Sequence, residues 1–265
     1  MEKSRQWAMR CMDEASLYSE NCFVTLTYDE KHLPSNRSLS KREFQLFLKR
    51  LRKFLGRDRL DSEPLRYFGC GEYGPENGRP HYHILLFNVS FPDRVYLKTT
   101  ASGEKIFRSP SLEKVWKFGF SSVGDVTFKS AAYVARYNLK KVNGVVGKSD
   151  YFVRSSGEVL EKEFVEMSRG SRKRGTGGIG RAWIEKFRSD VFPRGVRVIK
   201  GLDTPSCRFY DLQYEKVDPV GFARLKSLRS DRRVASALDN TPRRLLDKEV
   251  VKMSQIKILS TAKEV

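Results

Sequence analysis

Hydrophobic and polar residues alternate along CFVTLTY, residues 22–28, and this two-residue period predicts a half-buried strand. The period lengthens in SLSKREFQLFLKRLRKFLG, which predicts a helix that starts after Ser40 and stops at Gly56. Ser40 and Glu43 form a candidate capping box at its start. The opposite, basic face of this helix is expected to be solvated. Its apolar stripe is predicted to contain Phe44, Phe47, Leu48, Leu51, Phe54 and Leu55.

Two apolar stretches, residues 65–73 and 81–87, predict an antiparallel hairpin because the turn-forming sequence GPENGRP separates them. With the turn centred in that sequence, Glu72 is expected opposite His81 or its immediate neighbour. Side chains alternate between the two faces of a strand, so His81 and His83 are predicted to project from the same face. The hairpin would therefore collect two imidazoles and one carboxylate on one side of a sheet.

Turn and period signals continue downstream. They predict a second hairpin around Ser102–Gly103, a short helix from Pro110, a strand over 121–128 and a helix capped by Ser130. At ~100° per residue, the narrow apolar side of that last helix is predicted to be Ala132, Ala135, Leu139 and Val142. A different side of the same helix carries Tyr133, Tyr137 and Lys140.

These elements predict an α+β domain with a central antiparallel sheet of about five strands and flanking helices. The histidines are expected at the centre of the sheet, and the domain is expected to span residues 1–200. Residues 201–265 are predicted to form a basic, partly helical C-terminal extension, whose last helix runs from Pro242 to Ile258. The apolar side of that helix is expected to be Leu245, Leu246, Val250 and Met253.

Charge narrows the choice of partner. The 265 residues carry a formal net charge of +19, with a pI near 9.9, which favours a polyanion and above all nucleic acid. A membrane is disfavoured because no apolar run approaches the ~20 residues of a spanning helix. The start of the sequence has no signal-peptide pattern, so a cytoplasmic protein is expected. The four cysteines form no CxxC pair, which indicates reduced, structural thiols.

Two of the three histidines of the chain are the pair on the predicted hairpin. With Glu72, His81 and His83 would form a three-ligand site with open coordination positions, which suits a catalytic divalent ion. The alternative is a pair of polar side chains on a solvent-facing sheet surface. His32 has no comparable partner and is expected to be an ordinary surface or turn residue.

The helix with two tyrosines one turn apart has two interpretations. Tyr133 and Tyr137, with Lys140 at the next turn, would form a nucleophilic face if nearby cations or a metal offset the high pKa of a phenol. The alternative is amphipathic aromatic packing.

A basic, glycine-rich segment follows, and its GxGxxG-like string at residues 175–180 lacks the preceding strand of a dinucleotide-binding fold. The segment is interpreted as a phosphate-contacting loop, with a flexible charged loop as the alternative. Its candidate DNA-binding residues are Arg169, Arg172, Lys173, Arg174 and Arg181.

Three segments in this order, FVTLTYDEKHLP, GEYGPENGRPHYHILLF and YVARYNLKK, resemble the motifs of the HUH endonucleases. The resemblance covers roughly residues 20–185 and is most similar to the rolling-circle replication initiators of microviruses, in particular the gokushoviruses. It implies an HUH, RRM-like fold and a Mg²⁺ or Mn²⁺ ion held by His81, His83 and Glu72. It further implies that the two tyrosines attack a DNA phosphodiester and that the lysine assists: Tyr133, Tyr137 and Lys140.

The resemblance implies an enzyme that nicks single-stranded DNA at a viral origin through a 5′-phosphotyrosine link and later rejoins the strand. It would act in the cytoplasm of a bacterial host, where the C-terminal extension either packs on the domain or docks a host helicase or polymerase. Three alternatives stay open. They are a plasmid relaxase-type HUH enzyme, a non-catalytic nucleic-acid-binding module and a phosphodiesterase that uses water.

Overall fold

The fold is described by a computed structural model. It covers residues 2–56, 65–74, 78–142, 151–153, 157, 159–170, 177–199 and 201–261, with the side chains of 137–142, 151–153 and 256–261 outside the description. Contacts divide the chain into two units, Met1–Lys186 and Phe187–Val265. The predicted boundary after residue 200 falls between two paired strands of the second unit. The assignment of a nicking domain to residues 1–200 stays a prediction.

The first unit is built on a mainly antiparallel sheet with helices on both faces. Its described helices are α1 (Glu2–Ala15), α2 (Lys41–Leu55), α3 (Pro110–Val115), α4 (Phe128–Val142) and α5 (Arg181–Lys186). The described strands are β1 (Asn21–Tyr28), β2 (Arg66–Tyr73), β3 (Pro80–Phe87), β4 (Val95–Thr99), β5 (Lys105–Arg108), β6 (Gly119–Gly124), β7 (Tyr151–Val153), β8 (Val159–Glu161) and β9 (Phe164–Met167).

The α+β class with a central antiparallel sheet is confirmed. Over the described ranges the main sheet has seven strands in the order β4-β5-β6-β1-β3-β2-β9, all antiparallel, while β7 and β8 form a separate ribbon. The prediction of about five strands was too low. One added strand is β9, whose four residues, FVEM, are too short to show the alternation that marks a strand. The histidine strand β3 lies inside the sheet, between β1 and β2.

The helix α2 confirms the predicted capping signals. The Ser40 hydroxyl accepts the backbone N–H of Glu43, and Gly56 ends the helix with φ of 85°, a left-handed value that favours glycine. The inward stripe was correct except at one position. Phe54 is 49% exposed, because at ~100° per residue it lies at the margin of the stripe rather than at its centre. The buried members are Phe44, Phe47, Leu48 and Leu51.

The two faces of the sheet carry separate hydrophobic cores. On one face, α2 and α3 pack against alternate residues of β1 and β3, including Val24, Leu26 and Ile84. On the other face, α1 and α4 pack against β2, β3 and β9 through residues such as Phe68 and Leu85. Alternation along each strand therefore decides which core a side chain enters.

The start of α4 differs from the prediction. The strand β6 ends at Gly124 rather than continuing to Phe128, and α4 begins at Phe128. Its cap is Thr127, whose hydroxyl accepts the N–H of Ser130, so the predicted cap residue lies inside the first turn. The inward side is also rotated by one position from the predicted one, because Ala132 is only partly buried. The fully buried residues are Ala131, Val134 and Ala135.

Glycines in β2 let the sheet approach α2 and β9 closely. A Cβ atom added at Gly71 would lie 2.7 Å from the ring of Phe164, too close for ordinary contact. We expect Gly71→Ala to lower the free energy of unfolding by about 1–3 kcal/mol, since overpacking forces its neighbours apart. Urea denaturation followed by circular dichroism measures the change. Gly74→Ala is the matched control, because its added Cβ would meet nothing closer than 3.5 Å; an equal loss in both variants would contradict the prediction.

All four cysteines are free and buried, which confirms the expectation of reduced, structural thiols. Burial raises the pKa of the Cys22 thiol to about 12, so the thiol stays protonated at neutral pH. In this state it is a poor nucleophile and a poor metal ligand.

The second unit contains a two-stranded ribbon and a series of helices. Its described elements are α6 (Arg188–Val191), β10 (Val196–Ile199), β11 (Leu202–Pro205), α7 (Arg208–Val217), α8 (Pro219–Ala235), a 3₁₀ turn (Ala237–Asn240) and α9 (Pro242–Thr261). The predicted last helix is confirmed, and it extends past Ile258. Its apolar side chains do not pack as a buried stripe, since Leu245, Leu246, Val250 and Met253 are each at least 50% exposed. None of the described helices is both long and apolar enough to cross a bilayer.

Candidate active site

The hairpin register places the predicted ligands on one face of the sheet. Glu72 of β2 pairs with His81 of β3, as the turn position predicted. On the other side of β3, His81 pairs with Thr27 of β1, and His83 pairs with Thr25. Directly opposed residues of antiparallel strands share a face, so these side chains project together away from α2.

Glu72, His81 and His83 converge on one point. Oε1 of Glu72 lies 2.7 Å from Nε2 of His81 and 2.9 Å from Nε2 of His83. The two imidazole rings meet edge to face, with centroids 4.9 Å apart. The Glu72 side chain is 2% exposed, whereas those of His81 and His83 are 16% and 11% exposed. The carboxylate therefore forms the floor of the site and the imidazoles its solvent-reachable rim.

Each histidine is oriented through its second ring nitrogen. Nδ1 of His81 donates to the carbonyl oxygen of Arg79 at 3.0 Å. Nδ1 of His83 lies 3.0 Å from the hydroxyl oxygen of Thr25. Such contacts fix the orientation of both rings and direct Nε2 toward Glu72, as they do around bound metals. Thr25 was missed from the sequence because its role depends on the β1–β3 register, which no local pattern gives.

The three groups tune one another electrostatically. Burial alone raises the pKa of Glu72, but hydrogen bonds from His81 and His83 outweigh it and hold the pKa well below its ordinary value. Burial lowers the pKa of His81, yet the hydrogen bond and charge of Glu72 leave it raised overall. For His83, burial dominates and the pKa is lowered. At neutral pH the site is therefore an ionised carboxylate beside imidazoles of unequal basicity.

The residues present fit a divalent metal ion. Within the described part of the chain, Glu72, His81 and His83 are the group whose possible ligand atoms all lie within 4.8 Å of one another. Oε2 of Glu72 is buried and accepts no hydrogen bond from any described group, so one lone-pair-bearing atom is left for a ligand. Two neutral imidazoles and a carboxylate hold divalent metals and leave coordination positions open.

The tyrosine helix reaches this cluster. The Tyr133 hydroxyl donates to Oε1 of Glu72 at 2.5 Å, and its ring packs edge to face on His83 with centroids 5.0 Å apart. The packing of α4 on β2 and β3 brings the phenol to the same carboxylate oxygen that both histidines approach. A candidate nucleophile thus lies directly beside the candidate metal ligands.

The remaining predicted site residues are less fully described. The side chains of Tyr137 and Lys140 lie outside the description, although the α4 backbone is described through Val142. Three loop residues also lie outside the described residues: Arg172, Lys173 and Arg174.

Both ends of the basic loop are described. Arg169 is exposed shortly after β9. Arg181 opens α5, and its guanidinium pairs with Glu185 at 2.5 Å. His32 is exposed and bonded to Asp29, as expected of a turn residue. The structure thus does not bring His32 to the metal-ligand cluster, and the DNA contacts of the loop stay predictions.

An anchor for the end of the basic loop was not predicted. Glu14 of α1 and Arg66 of β2 form a buried ion pair, with side chains 1% and 8% exposed. Oε2 of Glu14 accepts the N–H of Gly180 at 2.6 Å, and Arg66 donates to the carbonyl oxygen of Gly177 at 3.0 Å. Arg10 also donates to the carbonyl oxygen of Ile179. A single acidic residue within an amphipathic helix gives no sequence signal for such a role.

Comparison with known proteins supports the resemblance. A family of phage replication-associated proteins, described as the ORF2 type, matches residues 21–142. The chain is 35% identical over 222 residues to Replication-associated protein VP4 of Bdellovibrio phage phiMH2K, covering 83% of this chain and 65% of that protein. It is 32% identical over 175 residues to Replication-associated protein ORF2 of Spiroplasma virus 4, covering 64% and 52%.

A third relative is Replication-associated protein ORF4 of Chlamydia phage 1, 33% identical over 144 residues, with 53% of this chain and 35% of that protein covered. The chain thus spans from about a third to just under two thirds of the length of these curated relatives. No solved structure matches the chain. The matched residues include the hairpin histidines and both tyrosines of α4.

Proposed function

We propose, on the premise that the chain is a microvirus-like relative of phage replication-associated proteins, that it nicks and rejoins single-stranded DNA at a viral origin. The observation that carries the proposal is the hydrogen bond from Tyr133 to Glu72 within the two-histidine cluster. A water-using phosphodiesterase needs no tyrosine at that place, and a binding module needs neither the tyrosine nor the ligands.

The chemistry follows from the residues. The phenol oxygen of Tyr133 attacks the phosphorus, the new P–O bond replaces the bond to the 3′ oxygen, and a 5′-phosphotyrosine and a 3′-hydroxyl result. Glu72 accepts the phenol hydrogen bond at 2.5 Å and so holds the proton that the nucleophile must lose. A divalent ion, Mg²⁺ or Mn²⁺, held by His81, His83 and Glu72 would act as a Lewis acid on the phosphate oxygens.

A second tyrosine extends the scheme to rejoining. Tyr137 lies one helical turn after Tyr133 on α4, so both project from a similar side of the helix. One tyrosine can then hold the 5′ end while the other cleaves the regenerated origin, and attack by the free 3′-hydroxyl reseals the strand. Because the ester conserves the phosphodiester bond energy, rejoining needs no ATP. Lys140, close to one turn beyond Tyr137, is proposed to assist by offsetting phosphate charge.

The relaxase-type alternative is disfavoured by motif order. In relaxases the histidine motif usually follows the tyrosines, whereas here β3 precedes α4. The basic loop from Arg169 to Arg181 is proposed to contact the DNA backbone, consistent with the net charge of +19. Action in the host cytoplasm, and docking of a host helicase or polymerase by residues 201–265, stay predictions.

A covalent-adduct assay tests the proposal. Labelled single-stranded oligonucleotides that tile the viral origin are incubated with the protein and Mn²⁺ or with chelator, and separated on a denaturing gel. We expect an adduct band with Mn²⁺ that chelator removes and that His81→Ala lowers by at least about tenfold. His32→Ala is the matched control, since His32 lies outside the cluster.

Each other result has a definite meaning. Cleaved DNA with no attached protein would replace the proposal with hydrolysis by water. Bound but uncut DNA across the whole origin would reduce the chain to a binding module. An adduct that forms equally well in chelator and in His81→Ala would separate the tyrosine chemistry from the metal site.

A further inference from the structure

Phe120 of β6 is an aromatic side chain directed into solvent. It is 70% exposed, more than Tyr96 at 56% and Phe54 at 49%. A phenylalanine usually buries most of its large apolar surface, so a strand position that leaves it exposed gains little stability from it. Exposed aromatic side chains beside a functional site are characteristic of binding surfaces.

The sheet register puts Phe120 on the same face as the metal-ligand cluster. Thr27 of β1 pairs with His81 on one side and with Phe120 on the other. Directly opposed residues share a face, so one row across the sheet carries Glu72, His81, Thr27 and Phe120. Two strand spacings separate His81 from Phe120, about 10 Å. This distance corresponds to about three stacked nucleotides of a DNA strand.

Polar and cationic side chains continue this face beyond Phe120. Gly124 of β6 lies beside Ile106 of β5 and Phe23 of β1, since an added Cβ would be 3.4 Å from one and 3.8 Å from the other. Ile106 therefore lies on the same face as the Phe23 ring, which stacks on the ligand imidazole of β3. Two residues farther along β5, Arg108 shares that face. Lys98 of β4 pairs with Ile106 and also belongs to it.

The surface around Phe120 is thus suited to a nucleic acid rather than to an apolar protein partner. A single exposed ring is bordered by Thr27 and, along β6, by Ser122, with Arg108 and Lys98 on the next strands. Proteins that hold single-stranded DNA combine cationic grooves for the phosphates with aromatic rings on which bases stack. The net charge of +19 favours the same partner.

The two cations differ in their contacts. Arg108 pairs with Glu113 at 2.9 Å, in a contact whose side chains are 53% and 34% exposed. Surface ion pairs of this kind contribute little free energy, so a DNA phosphate can compete for the guanidinium. Lys98 lies on β4, whose five residues are all exposed. Lys98 is therefore the cation whose replacement gives the simpler test.

We propose that Phe120 is a stacking platform for a base of the single-stranded DNA that lies across the sheet between His81 and the cations Arg108 and Lys98. This inference rests on the proposed function, and it assigns the path of the strand away from the nick. It makes Phe120 a positioning residue, because the stacked base would fix which phosphodiester lies over the tyrosine.

Binding without cleavage tests the inference. Fluorescence anisotropy with labelled single-stranded origin oligonucleotides, in chelator, compares Phe120→Leu and Phe120→Trp with the unchanged protein. We expect Phe120→Leu to weaken binding about 5-fold to 100-fold, because one base loses its stacking partner, while Phe120→Trp binds as well or better. Phe54→Leu is the matched control: Phe54 is also an exposed aromatic, but it belongs to α2 on the opposite face.

Salt dependence separates stacking from charge. Phe120→Leu removes no cation, so the slope of log affinity against log salt is expected to stay unchanged, whereas Lys98→Ala should reduce it. The position of the nick supplies a second measurement, since loss of the stacked base is expected to reduce cleavage at the preferred phosphodiester relative to its neighbours.

The outcomes distinguish this inference from the proposed function. Equal DNA affinity and nick position for Phe120→Leu, with adduct formation intact, would overturn the stacking role and leave nicking in place. A Phe120-dependent affinity with no adduct under any condition would retain the stacking role and overturn nicking. Self-association that Phe120→Leu abolishes, with unchanged DNA affinity, would assign the surface to a second copy of the chain and overturn the inference.

Discussion

Replacing Tyr133 and Tyr137 together with phenylalanine is expected to abolish covalent attachment of the protein to DNA, by at least about 10³-fold. Each substitution removes only a hydroxyl group, so α4 should keep its packing. Each single variant retains one nucleophile and should keep a measurable part of the adduct. Adduct yield on a denaturing gel, with Mn²⁺ and origin DNA, measures the loss.

Two controls separate the lost nucleophile from a damaged site. Tyr96→Phe removes the hydroxyl of an exposed tyrosine on β4, whose bond is to Thr99, and should leave adduct yield unchanged. Titration with Mn²⁺ alone should give similar binding for the double variant and the unchanged protein, because Glu72, His81 and His83 all remain. An adduct that persists in the double variant would assign the attack to another residue.

The geometry of the ligand cluster was predictable because local signals determine it. Alternation fixed the strands on either side of GPENGRP, and the position of the turn fixed which residues oppose one another. The pairing of Glu72 with His81 therefore followed from the sequence, as did the common face of both histidines. The approach of the tyrosine helix came from a resemblance, since no local pattern says where a helix docks.

What could not be predicted depends on contacts between distant segments. The partner of His83, Thr25, is 58 residues away, and the strand β9 joins the sheet edge only through pairing with β2. The inward side of α4 was misjudged by one position because Ala131 and Ala132 are chemically identical. Only the surface that the helix meets decides which of them is buried.

The exposure of Phe120 is the clearest case of a feature that sequence patterning conceals. An aromatic residue in GFSSVG strengthens the prediction of a strand, because aromatic residues favour strands. Nothing in the stretch indicates that its ring faces solvent. The register with Thr27 and His81 gives that residue its meaning, by placing it in line with the ligand cluster.

The buried ion pair between Glu14 and Arg66 gives the second large expected effect. Replacing Arg66 with leucine leaves the Glu14 carboxylate, 1% exposed, without its cation and Gly177 without a hydrogen-bond donor. We expect the free energy of unfolding of the first unit to fall by about 3–5 kcal/mol, the usual result of removing one partner of a buried pair. Urea denaturation followed by circular dichroism measures the loss.

The comparison with an exposed pair tests the reason for this loss. Arg5→Leu breaks the bond to Glu2 on the same helix α1, where the side chains are 33% and 61% exposed, and should cost no more than about 1 kcal/mol. The double variant Glu14→Leu with Arg66→Leu should recover part of the stability, since no charge stays buried alone, but not all of it, because the N–H of Gly180 loses its acceptor. A cost for Arg66→Leu as small as that for Arg5→Leu would mean that water enters between α1 and β2 and solvates Glu14, and the pair would then not be the anchor of the basic loop.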